Sequence, residues 1–150
     1  MGDHTNTSPN EIKTLFKFNT EFSADSVEWC PHVPSFFVCG NYHLDDSQSQ
    51  GSVQKRLGRI LLFSISCDEG LKLHQKVNTA GILDLKWCPS TVNEMCLLGA
   101  VNSEGILEIY KFDQEKLSCI ASYSVKNSNE KDILLLSLDW STGKYSIITN

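Results

Sequence analysis

The sequence predicts an all-β protein that forms part of a β-propeller, and three observations lead to that prediction. One short motif containing a tryptophan occurs three times along the chain. Apolar runs of strand length follow the motif in a regular order. No segment combines the apolar spacing and the capping residues of an amphipathic helix. Four short antiparallel strands in each repeated unit are typical of a propeller blade.

The repeated motif places an aliphatic residue two positions before a tryptophan and a turn directly after it. Its three copies contain all three tryptophans of the chain, Trp29, Trp87 and Trp140. Aliphatic residue and tryptophan share one strand face, and the charged residue between them faces the other way. These charged residues are Glu28, Lys86 and Asp139. We expect the tryptophans to pack in the core and the charged residues to make contacts between blades.

Further strands are predicted from β-branched and aromatic composition and from glycines that precede the runs. In the first unit they cover 35–40, 58–65 and about 72–77, and in the second 95–100, 105–112 and 117–125. Residues 12–22 are predicted to form one more strand. The expected organisation is a flexible tail at 1–10 and a partial propeller at 11–150. Its blades are expected at about 24–78 and 81–126, with the start of a third at 133–150.

The predicted strands make about two and a half blades of a ring that we expect to have seven. At roughly 40–45 residues per blade, such a ring needs about 300 residues. We therefore expect a fragment, a truncated isoform or an incomplete gene model. Unpaired strand edges and half-covered blade faces are expected in such a chain.

Composition excludes several classes of function. With 13 basic and 18 acidic residues the net charge is −5, so binding of nucleic acid by bulk charge is excluded. No apolar run approaches the roughly 18 residues of a membrane span, and no secretory signal opens the chain. The six cysteines form no C-x-x-C pair and the four histidines are scattered, so no metal and no cofactor is predicted. Reduced, buried thiols are favoured, with a disulfide framework as the alternative.

Five sequence blocks carry a resemblance to a known family. The first, Ser-Ala-Asp-Ser-Val-Glu-Trp-Cys-Pro at 23–31, resembles the opening of the WD-repeat diphthine methyl ester hydrolases. The others follow in the family's order between about 20 and 145. They are 39–44, 56–59, 80–88 and 136–144, the block at 80–88 containing Gly81 as an insertion. The resemblance implies the N-terminal portion of a WD-repeat β-propeller of this family.

The resemblance also implies a reaction. Members of the family are cytoplasmic enzymes of diphthamide biosynthesis that hydrolyse the methyl ester of methylated diphthine, a side chain built on one histidine of translation elongation factor 2. The diphthine produced is then amidated to diphthamide. Translation elongation factor 2 is thus the expected partner, with no nucleic acid and no membrane. The alternative is a non-catalytic WD-repeat scaffold that docks other proteins. Because such a site needs loops from several blades, these 150 residues alone are expected to be inactive.

Ester hydrolysis needs an activated nucleophile and donors for the developing oxyanion. The sequence has no G-x-S-x-G nucleophile elbow. Asp25 and Asp84 lie at the predicted first strands, which line the channel of a propeller, and His43 lies in a predicted loop nearby. An aspartate and His43 are therefore the candidate base and orienting partner for a water. Alternatively, both aspartates join neighbouring blades by hydrogen bonds and His43 is solvated.

The predicted loop at 44–56 is long and polar, with Asp45 and Asp46 near its start. Its basic end, formed by Lys55 and Arg56 with Arg59 close behind, is a candidate contact for an acidic protein surface. A surface loop without function is the alternative. Residues 126–132 are predicted to be a solvated linker between blades.

Overall fold

The computed structural model describes residues 12–45, 54–125, 133–141 and 147–149, and all regular structure in these ranges is β-strand. The first sheet consists of β1 (Ser23–Trp29), β2 (Phe36–Asp45), β3 (Lys55–Ser66) and β4 (Gly70–Ala80). The second consists of β5 (Ile82–Trp87), β6 (Cys96–Asn102), β7 (Ile106–Asp113) and β8 (Lys116–Ser124). Both sheets are antiparallel with strands in chain order. A third, two-stranded sheet pairs β9 (Leu138–Trp140) with β10 (Ile147–Thr149).

This architecture confirms the predicted fold class, an all-β chain of four-stranded propeller blades. The seven-blade ring stays a prediction. None of the described residues belongs to a helix of the length and apolarity that a membrane crossing requires. The predicted linker at 126–132 and the tail at 1–10 lie outside the described residues.

Tight turns join the strands of the second sheet. Gln114 and Glu115 both have positive φ, 48° and 59°, between the paired residues Asp113 and Lys116. Two left-handed central residues are the mark of a type I′ hairpin, whose twist matches that of the flanking strands. In the first sheet, Gly70 at φ 70° begins β4, where the absence of a Cβ makes this conformation accessible without strain.

The principal core lies between the first and second sheets. Apolar residues from both sheets form one buried cluster, since each sheet presents alternate residues to the other. The cluster consists of Cys30, Phe36, Val38, Ile60, Leu62, Ile82, Leu85, Trp87, Leu98, Ala100, Tyr110 and Leu117. Two smaller clusters, around Cys88 and around Val101, join the second sheet to β9 and the segment before it.

Polar contacts also join neighbouring sheets at the repeated motif. The indole nitrogen of Trp87 donates to the carbonyl oxygen of Glu28 at 3.1 Å, and that of Trp140 donates to the carbonyl oxygen of Lys86 at 2.9 Å. The side chains of Glu28 and Lys86 form an ion pair, which raises the pKa of Lys86. The prediction that these two charged residues make contacts between blades is confirmed.

Core packing is the wrong prediction for Trp29. Its side chain is 51% exposed and packs against Phe37 of its own sheet, with ring centroids 4.7 Å apart. The other two tryptophans each lie against the sheet that precedes them in the chain. No sheet among the described residues precedes β1, so Trp29 and the neighbouring Val27 stay on the surface.

The strand predicted over 12–22 is also wrong. Residues 12–20 form no strand ladder, and side chains rather than backbone hydrogen bonds attach this segment to the first sheet. The ring of Phe18 meets Phe63 edge to face at 4.9 Å. Phe16 lies against Gly70, where an added Cβ would come within 3.0 Å of the ring. We call residues 12–22 the N-terminal strap.

The long loop predicted at 44–56 is shorter than expected. β2 continues to Asp45 and pairs with β3 from Lys55 onwards. His43 therefore lies within β2, opposite Leu57, and not in a loop as predicted. The ladder extends because each added residue pair satisfies backbone groups that a loop leaves to solvent. Asp46 lies outside the described residues.

Candidate functional site

A cleft opens where the first strands of both sheets carry a β-bulge. The register shifts between Ala24 and Ser26 in β1, and between Ile82 and Asp84 in β5. A bulge places an extra residue outside the ladder and redirects its side chain. The extra residues, Asp25 and Leu83, both line this cleft of about 180 Å³. Its other lining residues are Tyr42, Arg56, Ser103 and Leu134.

Backbone hydrogen bonds hold three parts of the chain together beneath the cleft. The amide of Gly81 donates to the carbonyl oxygen of Arg56 at 3.1 Å. The amide of Ser103 donates to the carbonyl oxygen of Gly81 at 2.8 Å. A Cβ on Gly81 would lie 2.6 Å from Cδ2 of Tyr42. The inserted glycine thus lets the tyrosine ring lie directly on the backbone between the two sheets.

The third side of the cleft comes from the segment before β9. The amide of Leu135 contacts the carbonyl oxygen of Asn102 at 3.4 Å. The buried side chain of Asn102 holds the turn after β6, because its Oδ1 accepts from the amides of Glu104 and Ile106 at 3.0 and 3.2 Å. This turn carries Ser103, so the same asparagine fixes both neighbouring walls.

Ser103 presents an unsatisfied polar atom beside the cleft. The residue is 6% exposed, and no described residue makes a hydrogen bond with its Oγ. Leaving a buried hydroxyl unpaired costs about 1–3 kcal/mol. Ser26 Oγ and Asn41 Oδ1, at the same end of the first sheet, are also unpaired within the described part of the chain. Such atoms call for an explanation, and a polar ligand in the cleft supplies one for Ser103.

The polar side chains of the cleft have complementary chemistry. Asp25 is exposed, and no described residue donates a hydrogen bond to its carboxylate. The guanidinium of Arg56 forms no ion pair within the described ranges, although the residue is half-buried. A carboxylate can take a proton from water, and a guanidinium and a phenol can donate to a developing oxyanion. Asp25, Arg56 and Tyr42 together are thus suited to acyl chemistry.

Asp84, the second predicted aspartate, is engaged elsewhere. Its Oδ1 accepts from the amide of Leu85 at 2.9 Å, and its Oδ2 accepts from the amide of Leu138 at 3.0 Å. The second bond joins β5 to β9. This geometry matches the alternative in which the aspartate joins neighbouring blades. Asp25 and Asp84 thus occupy different environments in spite of their similar positions in the sequence.

His43 lies on the other face of β2 from Tyr42, because successive side chains in a strand alternate. Its ring stacks on Phe22 with centroids 4.8 Å apart and planes 8° apart. Among the described residues it makes no contact with Asp25 or Asp84. The structure therefore places the aspartate in the cleft and the histidine outside it.

The three predicted basic residues also separate. Arg59 bonds Glu21 at 2.6 Å and lies over the ring of Phe22, 4.1 Å from its centroid. Lys76 bonds the same carboxylate at 2.7 Å, and the two cations lower the pKa of Glu21 to about 2. Lys55 is exposed at the start of β3. Only Arg56 faces the cleft.

Tyr42 and Ser103 were not singled out from the sequence, although a signal was present. Each directly follows a buried asparagine of the second strand of its sheet, Asn41 within β2 or Asn102 at the end of β6. They therefore occupy equivalent positions of the repeat. No cluster of potential metal ligands occurs among the described residues.

Three curated relatives cover most of the chain at 34% identity. Diphthine methyltransferase of Mus musculus aligns over 158 residues, 95% of this chain and 31% of the relative. The Homo sapiens protein of that name aligns over 145 residues, 84% of this chain and 32% of the relative. The diphthine methyltransferase homolog of Dictyostelium discoideum aligns over 139 residues, 80% and 36% respectively. No protein-family model matches the chain.

The chain spans about a third of the length of these relatives. The alignment with the Mus musculus relative covers 95% of the chain and therefore includes both sheets. Over that third, the chain is similar in sequence to proteins named diphthine methyltransferase.

Proposed function

We propose that the chain acts in diphthamide biosynthesis, and that its cleft holds the methyl ester of methylated diphthine on translation elongation factor 2 for hydrolysis in the cytoplasm. The observation that carries the proposal is the meeting of Asp25, Arg56 and Tyr42 in one cleft beside the unpaired hydroxyl of Ser103. The names of the relatives, diphthine methyltransferase, support the pathway. The ester chemistry rests on the family resemblance and on these residue types.

Each residue has a role in the proposed reaction. Asp25 accepts a proton from a water that attacks the ester carbonyl carbon. Arg56 and Tyr42 donate hydrogen bonds to the oxygen that becomes negative in the tetrahedral intermediate. When the intermediate collapses, the bond to the methoxy oxygen breaks, and methanol leaves with the proton that Asp25 held. The apolar side chains of Leu83 and Leu134 face the methyl group.

The test uses translation elongation factor 2 that carries the methylated diphthine. It is incubated with the 150-residue chain, with the longer mouse relative in parallel, and the modified peptide is followed by mass spectrometry. The expected result is loss of the mass of one methylene, the difference between a methyl ester and its acid. Loss with neither protein removes the hydrolase proposal and favours the scaffold. Loss with the longer relative alone would keep the hydrolase function for the family and would mean that the cleft needs further blades, as expected from the sequence.

The variant Asp25→Asn tests the assigned base. It is expected to slow hydrolysis by about 10²–10⁴-fold, the usual contribution of a positioned general base. Asp68→Asn, an exposed aspartate in the turn before β4, is the matched control and is expected to keep the rate. Unchanged hydrolysis by Asp25→Asn, with an unchanged thermal midpoint, would exclude Asp25 as the base.

A further inference from the structure

Two cysteines from different sheets meet in the core. The sulfur atoms of Cys30 and Cys96 are 3.6 Å apart, although 66 positions separate them in the chain. Cys30 directly follows β1 and is 1% exposed, whereas Cys96 begins β6 and is partly exposed. Cys30 belongs to the apolar cluster that joins the first and second sheets, and Cys96 packs against that cluster. All six cysteines are free thiols, so the alternative of a disulfide framework is not what the structure has.

We propose that Cys30 and Cys96 are a modification site at which a hydroperoxide links the first two sheets by a disulfide bond. In a disulfide the sulfur atoms lie about 2.05 Å apart. The two sulfur atoms, 3.6 Å apart, have to approach by about 1.5 Å for the bond to form. Cys96 is partly exposed, so a small oxidant has to enter beside it to reach the buried sulfur of Cys30, 3.6 Å away.

The reaction balances in two steps. The thiolate of one cysteine attacks the O–O bond of the hydroperoxide, which forms a sulfenic acid and releases the alcohol, or water in the case of hydrogen peroxide. The thiol of the other cysteine then attacks the sulfenic sulfur. The S–S bond forms, the S–O bond breaks, and the hydroxide leaves as water with the thiol proton. The hydroperoxide is the electron acceptor for both thiols.

The surroundings favour Cys30 as the attacking thiolate. The hydrogen bond from Cys96, with backbone amides of His32 and Val33, lowers the pKa of Cys30. A lowered pKa increases the fraction of the thiolate, which is the reactive form of the group. The same hydrogen bond raises the pKa of Cys96. Cys96 thus remains a thiol that is ready to resolve the sulfenic acid.

The link constrains the whole molecule because it joins two sheets that are distant in sequence. A disulfide that closes a long loop removes conformations from the unfolded chain and stabilises the fold. The oxidised chain is therefore expected to have a higher thermal midpoint than the reduced chain. Reduction with dithiothreitol reverses the change.

The experiment treats the full chain with hydrogen peroxide, blocks the remaining thiols by alkylation and maps the peptides without reduction. Cleavage after Glu94 places Cys88 and Cys96 in different peptides, so that a link to one can be distinguished from a link to the other. The expected result is a linked pair of peptides containing Cys30 and Cys96, with two of the six thiols protected from alkylation. The thermal midpoint is expected to rise by several degrees.

Two variants control the assignment. Cys96→Ser changes a partly exposed residue and is expected to lose both the linked peptides and the rise in midpoint. Cys67→Ser, at an exposed thiol outside the interface, is expected to keep both. A link between Cys88 and Cys96, or oxidation confined to the exposed Cys67 and Cys119, would overturn the proposal. The mapping is made on the unsubstituted chain, so it does not depend on the folding of a variant.

Discussion

Trp29, Trp87 and Trp140 share one position of the repeat but have three different environments. Trp87 is 5% exposed and donates to the carbonyl of Glu28 in the preceding sheet. Trp140 donates in the same way to Lys86 and is half-buried. Trp29 has no preceding sheet among the described residues. The indole thus connects its own sheet to the preceding sheet. Its contribution to the stability of the fold therefore depends on whether that preceding sheet is present.

Substitution of Trp87 by phenylalanine measures that contribution. Trp87→Phe removes the indole N–H and part of a buried ring, and it leaves the carbonyl of Glu28 without this donor. We expect the free energy of unfolding to fall by about 1–3 kcal/mol. Trp29→Phe, the same change at the exposed copy, is the matched control and is expected to stay within about 0.5 kcal/mol. Urea denaturation followed by far-ultraviolet circular dichroism gives both values, and equal losses would contradict this role of the indole.

The two aspartates predicted as candidate bases have different environments. Asp25 lines the cleft, and its role as the base stays a prediction. When the two repeats are aligned on Trp29 and Trp87, Asp84 matches Ser26, the residue after Asp25. This difference of one residue turns the carboxylate of Asp84 towards β9. A strand reverses its side-chain direction at each residue, and a bulge shifts that alternation locally. The sequence has no clear mark of a bulge, so the two environments could not be separated before the structure.

At the scale of elements, the strands inside the two sheets were predictable and their ends were not. Apolar runs rich in β-branched and aromatic residues locate β3 and β7, because these central strands bury residues on both faces. The N-terminal strap has a similar composition but forms no ladder. Phe16 and Phe18 pack on part of the outer face of the first sheet instead of joining an edge. Composition shows that a segment will be attached to a sheet, but not whether backbone or side chains attach it.

Glu21 holds the end of the N-terminal strap, and this contact gives it a pH dependence. Arg59 and Lys76 lower the pKa of its carboxyl from 4.5 to about 2. Because the pKa is lowered in the folded state, the stabilisation by this contact is complete above pH 4.5 and is lost as the pH falls through the folded-state pKa of about 2. A carbon-13 NMR titration of the Glu21 carboxyl is expected to have its midpoint near 2. A midpoint near 4.5, the ordinary value, would exclude the double ion pair.

Glu21→Gln tests the same contact without a change of pH. The amides of the N-terminal strap are expected to exchange with solvent faster, whereas those of β3 are expected to be unchanged, because the exposed carboxylate contributes little to the global stability. Glu69→Gln removes an exposed ion pair to Lys72 outside the N-terminal strap and is the matched control.

For the whole molecule, the arrangement of the cores determines how the sheets depend on each other. The largest cluster takes residues from both four-stranded sheets, and two further clusters join the second sheet to the segment containing β9. The second sheet thus has a neighbour on each side, whereas the first keeps an outer face with exposed Val27 and Trp29. Unfolding of the second sheet therefore removes the inner surface on which the first sheet packs.

Leu85→Ala tests whether the two sheets unfold together. Leu85 is fully buried in the shared cluster, so the substitution creates a cavity and is expected to lower the free energy of unfolding by about 2–5 kcal/mol. Because the cluster belongs to both sheets, native-state hydrogen exchange is expected to show the same loss of protection at Leu61 in β3 and at Ile109 in β7. Ile120→Ala, at an exposed position of β8, is the control. It is expected to change neither the free energy of unfolding nor the free energy of exchange at these two amides by more than about 0.5 kcal/mol. A loss confined to β7 would mean that the first sheet is stable without the second. Equal losses would mean that the two blades form one cooperative unit, so that a substitution in the core of either sheet also loosens the cleft between them.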